Sequence, residues 1–172
     1  QFIFAVMKIL KLKQNFLFKT LEKFNGLNYR QEIVYNSKKL TIINDSKATS
    51  FSSSKSLLGS LNNVYWIVGG LAKKGDKLSL ENKKNTIIKA YIFGKNKVFF
   101  VNKLKKLMRY ESFLNLKTLI KKMILDINAD KKLLHKTILF SPAAASFDNF
   151  KNFEARGKYF NKLISKYINA KL

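Results

Sequence analysis

The chain has 172 residues, of which 47% are hydrophobic; it contains no cysteine and carries a formal net charge of +24. This length and apolar content suffice for one full domain with a buried core, which excludes a disordered chain. The lack of cysteine excludes disulfides and thiolate metal sites, and no apolar run approaches the roughly 20 residues of a membrane helix, so we expect a soluble, cytoplasmic protein without a membrane partner.

The first predicted elements are one helix and two short strands. Residues 3–24 predict the helix, because apolar side chains recur at a spacing near 3.6 residues over its second half. Gly26 follows at a position that favours a left-handed cap. The two strands are predicted at 31–35 and 40–44, and the polar residues between them predict a tight turn.

From the second strand onward, helices and strands alternate. The predicted helices are 51–61, 80–85, 96–107, 115–128 and 149–168, and the predicted strands are 64–68, 87–93, 109–113 and 137–140. Continuous apolar strands with helical crossovers are typical of a mostly parallel sheet covered on both faces. We therefore predict a Rossmann-like α/β fold over residues 27–172, preceded by a separate helical segment.

Three of these strands are followed by unusual loops. The loops read Asn44-Asp45-Ser46-Lys47-Ala48-Thr49, Gly69-Gly70-Leu71-Ala72-Lys73-Lys74-Gly75-Asp76 and Ser141-Pro142-Ala143-Ala144-Ala145-Ser146-Phe147-Asp148. Ligands of open parallel sheets bind beyond the carboxyl ends of the strands. If the sheet is parallel, Lys47, Thr49, Lys73 and Ser146 converge near the start of a helix. Such a place suits an anionic ligand, either a carboxylate or a phosphate.

Each loop taken singly has an ordinary explanation. Gly69 and Gly70 could form only a tight turn, and Lys73 could lie in a solvated loop. Asp45 and Ser46 could cap the next helix, and Ser146 or Asp148 could cap the last one. Only the repetition at three strand exits favours a common site.

Several other site classes are excluded. A phosphate-binding Walker loop would need Lys where Asp76 stands, although Gly70 and Gly75 have the right spacing. His135 is the only histidine and cannot build a metal cluster; it is expected at a surface or a loop edge. A serine nucleophile with His135 as its base is excluded because that residue lies in a helix-to-strand connection.

The positive charge has two interpretations. It is almost entirely lysine, spread over the whole chain, and arginine occurs only at Arg30, Arg109 and Arg156. A solvated surface in a protein with AT-rich codon usage explains this pattern, and nucleic-acid readers rely more on arginine. Nucleic acid is thus the disfavoured partner, but a basic α/β module that binds nucleic acid stays open as the alternative function.

At the three loops the chain resembles the carboxy-terminal domain of Mur ligases, in particular of the members that add D-glutamate. The similarity covers about residues 10–168, and its longest stretch runs from Ser141 through Phe153 to Gly157. Residues 1–26 resemble the closing helices of the family's central, ATP-binding domain. Gly26 to Arg30 resembles the hinge between domains, which implies a domain boundary after residue 26.

The resemblance implies a set of residues that hold the amino-acid substrate. These are Thr49, Lys73, Ser146 and the backbone of Phe147, which would bind the two carboxylates of D-glutamate, with Phe153 packed beside it. Lys47 would act as the catalytic cation near the acyl phosphate.

The resemblance also implies a nucleotide site at the hinge. Arg30 would face the phosphate end and Asp45 the ribose. Tyr29 stands where the family usually has histidine in a Pro-His-Arg hinge; a tyrosine ring can still stack on a base, but the imidazole contact is lost.

The implied reaction is the ATP-dependent addition of D-glutamate to UDP-N-acetylmuramoyl-L-alanine in peptidoglycan precursor synthesis. The substrate carboxylate becomes an acyl phosphate, which the amine of D-glutamate attacks through a tetrahedral intermediate. ATP and Mg²⁺ are the implied cofactors. The resemblance places the family's phosphate loop and magnesium ligands in the central domain, of which this chain has only the closing helices. We therefore expect no metal ligand in this chain and no ligase activity from this chain alone.

Overall fold

The computed structural model describes residues 2–24, 26–78 and 86–171, with side chains up to residue 168. The helices are α1 Phe2–Ile9, α2 Gln14–Glu22, α3 Phe51–Ser60, α4 Lys97–Leu104, α5 Leu116–Ala129 and α6 Phe153–Lys171. The strands are β1 Glu32–Asn36, β2 Leu40–Asn44, β3 Val64–Gly69, β4 Ile87–Phe93, β5 Tyr110–Ser112 and β6 Lys136–Phe140. The helix predicted at 80–85 lies outside the described residues. No helix in the described part of the chain is long and apolar enough to cross a membrane.

The six strands form one sheet in the order β1-β2-β6-β3-β4-β5. Strand β1 pairs antiparallel with β2, and all the other pairs are parallel. The mostly parallel sheet predicted from the sequence is therefore confirmed. The turn between β1 and β2 is closed by Ser37, whose backbone N–H donates to the carbonyl of Leu40 at 2.9 Å.

Alternate side chains of the strands feed two apolar clusters, one on each face of the sheet. On one face, Ile42, Ile67 and Phe140 pack under α5 and α6. On the other face, Ile43 and Trp66 pack under α3 and α4. One face of α5 is buried, as the 3.6-residue period of the predicted amphipathic helix at 115–128 requires. Its members are Leu116, Leu119, Ile120, Met123, Ile124 and Ile127. The fold is thus a three-layer α/β/α sandwich.

The helix predicted at 3–24 is wrong as a single element, because the structure has two helices there. Lys11 adopts a left-handed conformation with φ +52°. Its N–H donates to Lys8 O at 3.2 Å, and the N–H of Leu12 donates to Met7 O at 3.0 Å. These two bonds form a Schellman cap, which usually places glycine where Lys11 stands. The apolar rhythm continues across the break, so the sequence does not reveal it.

Helices α1 and α2 contact each other, with the rings of Phe4 and Phe18 edge to face at 6.5 Å. Among the described residues, neither helix contributes a side chain to the clusters on the two faces of the sheet. Gly26 has the predicted positive φ, +81°, although α2 ends at Glu22. The boundary between a segment 1–26 and a domain 27–172 stays a prediction.

We predict that Phe160→Ala lowers the free energy of unfolding by roughly 3–5 kcal/mol. The Phe160 ring is fully buried and stacks on Phe140 with 4.3 Å between centroids, so its removal leaves a cavity between α6 and the sheet. Urea unfolding followed by circular dichroism measures the change. Phe16→Ala is the control, because Phe16 is 71% exposed. An equal loss in both variants would contradict the assignment of this core.

Candidate functional site

The carboxyl ends of the three central strands carry the loops that the sequence singled out. Strands β2, β6 and β3 are direct neighbours in the sheet and run parallel. The loops that follow them, residues 45–50, 141–152 and 70–78, therefore leave the same edge side by side. We call these three segments the carboxyl-edge loops.

The loops after β2 and β6 are joined through Asp45. Its backbone N–H donates to Phe140 O at 2.7 Å, and one carboxylate oxygen accepts the hydroxyl of Ser141 at 2.9 Å. The other carboxylate oxygen accepts the N–H of Gln31 at 3.2 Å. Burial raises the pKa of Asp45 above its ordinary value, against the opposing hydrogen bonds from Ser141 and Gln31. The Asp45 side chain thus links Gln31, directly before β1, to the loop after β6.

The loops after β3 and β6 are joined by backbone bonds. Leu71 and Ala145 exchange two hydrogen bonds, of 3.0 and 2.9 Å, and the N–H of Gly69 donates to Pro142 O at 2.8 Å. Gly70 has a φ of +134°, and a Cβ added there would lie 2.7 Å from Ala145 O. Glycine is required at this position by both the conformation and the close approach of the two backbones.

The buried guanidinium of Arg156, on α6, holds together the loops after β2 and β6. Arg156, at 0% exposure, donates to Ser46 Oγ at 3.1 Å, to Ser46 O at 2.7 Å and to Ala144 O at 2.9 Å. The Ser46 hydroxyl in turn donates to Phe153 O at 2.8 Å. Burial lowers the pKa of Arg156 to about 10, opposed by the nearby charge of Asp148, so the side chain stays charged at neutral pH.

The turn after β4 joins the same assembly. Asn96 accepts the N–H of Ala72 at 2.9 Å through its side-chain oxygen. The N–H of Lys95 donates to a carboxylate oxygen of Asp148 at 2.9 Å. The other carboxylate oxygen of Asp148 is buried and has no hydrogen-bond partner among the described residues. Four loops are thus fixed to one another at this edge.

The start of α3 is bound to the loop after β3. Ser50 is the N-cap of α3, and its hydroxyl accepts the N–H of Ser53 at 3.2 Å. The Asp76 carboxylate accepts the N–H of Phe51 at 2.6 Å. Thr49, directly before this cap, is therefore held beside the loop that carries Lys73.

The structure brings the predicted substrate residues to one edge of the sheet but leaves them unequally accessible. Thr49 and Lys73 are exposed, and Phe147 is 71% exposed. Ser146 is 2% exposed, within the turn that its carbonyl forms by accepting the N–H of Phe150 at 2.9 Å. The exposed groups lie on the loops after β2, β3 and β6, one from each.

Lys47 and Phe153 are in direct contact. The ammonium of Lys47 lies 4.1 Å from the centroid of the Phe153 ring, a cation–π geometry that fixes the end of a flexible side chain. The backbone N–H of Lys47 donates to Tyr29 O at 3.0 Å. Lys47 is therefore positioned by both α6 and the hinge.

The three predicted nucleotide residues differ in their surroundings. Arg30 is exposed. The Tyr29 ring, at a backbone φ of +62°, packs on α6 at Gly157, where an added Cβ would lie 2.4 Å from the ring. Only the opposite face of that ring remains for a base. The Asp45 carboxylate is turned inward, and the residue is 5% exposed.

The capping explanations of the loop residues are wrong. Helix α3 is capped by Ser50, and the first turn of α6 by Asn152, whose side chain accepts the N–H of Ala155 at 2.8 Å. Asp45 and Asp148 instead bond across loops. His135 lies at the opposite end of the sheet, with Nε2 3.0 Å from the hydroxyl of Thr41.

Two residues that hold this edge together were not identified from the sequence. Asn44, at the end of β2, donates to Gly157 O at 3.0 Å and to the side chain of Asn161 at 2.7 Å. Arg156 is the second. The signal for it was available, because arginine is rare in this lysine-rich chain and a lysine satisfies any purely solvated position.

Comparison with known proteins gives a consistent set of relatives, although no family model matches the chain. The UDP-N-acetylmuramoylalanine–D-glutamate ligase of Wolbachia sp. subsp. Brugia malayi is 35% identical over 162 residues, which are 94% of this chain and 32% of that protein. The ligase of the same name from Rickettsia prowazekii is 32% identical over 95% of this chain and 37% of that protein. The one from Bartonella henselae is 35% identical over 91% and 33%.

The chain thus spans about a third of the length of the curated relatives it matches. Among solved structures, a folylpolyglutamate synthase of Mycobacterium tuberculosis complexed with ADP and AMPPCP aligns with a TM-score of 0.44 and 14% identity, over 78% of this chain and 32% of that one. That likeness is too distant to carry an argument.

We predict that Arg156→Gln lowers the free energy of unfolding by roughly 3 kcal/mol or more, because the carbonyls of Ser46 and Ala144 lose their buried donors. Urea unfolding measures the change. Arg109→Gln is the matched control, since Arg109 is exposed and its loss should cost within roughly 0.5 kcal/mol. A neutral effect of Arg156→Gln would show that the carboxyl-edge loops do not depend on this side chain.

Proposed function

We propose that this chain, a homologue over nearly its whole length of part of the UDP-N-acetylmuramoylalanine–D-glutamate ligases, is the section of such an ATP-dependent ligase that binds D-glutamate. The observation that carries the proposal is the convergence of the carboxyl-edge loops at one edge of the sheet, with Lys47 and Thr49 after β2, Ser146 after β6 and Lys73 after β3. The identity of 30–35% to ligases of that one name over more than nine tenths of the chain supports it.

The substrate amino acid would be bound through its two carboxylates. The ammonium of Lys73 and the hydroxyl of Thr49 are exposed on adjoining loops and supply a cation and a donor. Ser146 and the backbone N–H of Phe147 supply further donors from the loop after β6. Charged hydrogen bonds of this kind bind carboxylates more strongly than neutral ones. Phe153 would cover the carbon chain of the substrate.

Lys47 would act where the bond is made. The amine nitrogen of D-glutamate bonds to the acyl carbon of the second substrate, the carbon–oxygen bond to phosphate breaks, and the amine releases a proton to solvent. The acyl phosphate, the tetrahedral intermediate and the departing phosphate are all anionic. A cation held in place before the reaction, as Lys47 is by the Phe153 ring, stabilises such charge without reorganisation.

The hinge would contact the nucleotide. Arg30 is exposed and would face its phosphates, and the free face of Tyr29 would stack on its base. Asp45, for which the resemblance implies a ribose contact, is 5% exposed, and its carboxylate already binds Ser141 and Gln31. Because these bonds fix the hinge to the loop after β6, we propose that Asp45 chiefly positions the nucleotide residues.

ATP supplies the phosphoryl group that activates the substrate carboxylate. Within the described residues no three His, Asp or Glu side chains are grouped as a metal site. We propose that the magnesium ion is held by the part of the relatives that this chain does not cover. The same part would bind UDP-N-acetylmuramoyl-L-alanine, and the complete enzyme would act in the cytoplasm.

The first test is direct binding of D-glutamate to the chain, followed by amide chemical shifts in NMR titrations. We expect saturable shifts at Thr49, Lys73 and Phe147, and a smaller response to L-glutamate. Lys73→Gln should weaken the affinity roughly tenfold or more, because a charged hydrogen bond is lost. Lys74→Gln is the matched control, an exposed neighbour with the same charge. Equal effects of the two substitutions would contradict the assignment of Lys73.

The second test is catalysis. Phosphate release that depends on D-glutamate and on UDP-N-acetylmuramoyl-L-alanine should be absent with this chain alone. It should appear when the chain replaces the matching third of the Rickettsia prowazekii ligase. Lys47→Met in that chimera should lower kcat by roughly a hundredfold or more with a smaller change in KM, as expected for a group that acts on the transition state. Turnover by the chain alone would overturn the proposed division of labour.

A further inference from the structure

Three surface cavities lie along the edge of the sheet opposite the carboxyl-edge loops, where the parallel strands begin. Their volumes are about 1190, 610 and 320 Å³. The first and second adjoin at Asp130 and Lys131, and the second and third adjoin at Lys39 and Leu40. Because neighbouring cavities share wall residues, they lie side by side along this edge, and we call the row of three the basic groove.

The basic groove concentrates positive charge. Its largest section is lined by the cations Lys89, Lys105, Lys106, Arg109, Lys131 and Lys132. These are six of 15 lining residues, against 34 Lys and Arg among the 172 residues of the chain. Lys39 and Lys136 line the second section, and Lys38 the third. Two fifths of the lining residues of the largest section are therefore cations, against one fifth of the residues of the whole chain.

The two carboxylates of the groove are hydrogen-bonded to its own walls, and Asp126 is also ion-paired. Tyr91 and Lys89 donate to Asp126 at 2.7 and 2.6 Å, and Lys122 donates to its other oxygen. Burial opposes ionisation, but these bonds hold the pKa of Asp126 at about 2. Tyr65 donates to Asp130 at 2.7 Å. The acids therefore fix the floor of the groove, and the cations that line it outnumber them.

The rim cations are available to a ligand. Lys105, Lys106, Lys131 and Lys132 are exposed and face each other across the largest section. Within residues 2–24, 26–78 and 86–168, Lys89 is the groove cation that forms an ion pair with a carboxylate. The ligand must thus be an anion with many charges, spaced along a track too long for a single phosphate.

We propose that the basic groove binds single-stranded nucleic acid. Nucleotide phosphates would lie against the rim lysines, and an unpaired base would stack on Tyr110, which lines the largest section and is 39% exposed. A positively charged track with exposed aromatic rings is the general architecture of single-strand binding. A duplex keeps its bases stacked on one another and cannot use the ring. The proposal does not depend on the proposed ligase function, because the two sites lie at opposite edges of the sheet.

The test is fluorescence anisotropy of a labelled oligothymidylate, titrated with the full chain at several salt concentrations. The groove variant replaces Lys105, Lys106, Lys131 and Lys132 with Gln. The control variant replaces Lys8, Lys13, Lys19 and Lys23, exposed lysines in and beside α1 and α2, so both variants lose the same net charge. We expect the groove variant to bind at least tenfold more weakly and to lower the slope of log affinity against log salt by up to about 3, at roughly 0.7 per lost phosphate contact.

The base contact is tested separately by Tyr110→Ala, which should weaken binding roughly fivefold while leaving the salt slope unchanged, since stacking adds no phosphate contact. Equal weakening in the groove and control variants would overturn the proposal, because net charge alone would then explain binding. So would tighter binding of a duplex of equal length, displacement by inorganic polyphosphate at equal charge concentration, or no binding at low salt.

Discussion

The arrangement of the carboxyl edge depends on one buried guanidinium. Arg156 reaches from α6 to carbonyls in two loops that are more than ninety residues apart in the chain, and it does so with several donors in one plane. A lysine ammonium is a point charge and cannot bridge two loops in this fixed geometry. The Nε, Nη1 and Nη2 atoms of Arg156 each donate to a loop oxygen. These hydrogen bonds offset part of the free-energy cost of burying the charge. Because Arg156 holds these two loops in place, it also fixes the positions of Lys47, Thr49 and Ser146.

The sequence predicted the features that follow from short-range periodicity. The bounds of β4 at 87–93 agree with the prediction, and α5 differs by one residue at each end, because apolar runs and a 3.6-residue stripe are local signals. It could not predict what depends on long-range contacts. The inward turn of Asp45 arises from Ser141 and Gln31, and the break at Lys11 has no glycine to mark it. For the site, the convergence of loops was predictable from parallel strands, but the burial of Ser146 was not.

The two ends of the parallel strands have different electrostatic designs. At the carboxyl edge, a few cations stand on loops fixed by backbone bonds, which suits recognition of a small anion with defined geometry. At the amino edge, many lysines on long flexible stems surround a floor fixed by tyrosines and carboxylates. This arrangement suits a polymer whose phosphates are bound by electrostatic attraction more than by directed hydrogen bonds. The two proposed anion-binding sites therefore lie at opposite ends of the same parallel strands.

The position of β6 in the sheet has a consequence for how the chain is made. It is the last strand in the sequence, yet it lies between β2 and β3, with parallel partners on both sides. During synthesis, β2 and β3 each keep an unpaired apolar edge until β6, which ends at residue 140, has left the ribosome. Such edges recruit strands from other molecules. The nascent chain is therefore prone to aggregation until β6 inserts between β2 and β3 and joins the two halves of the sheet.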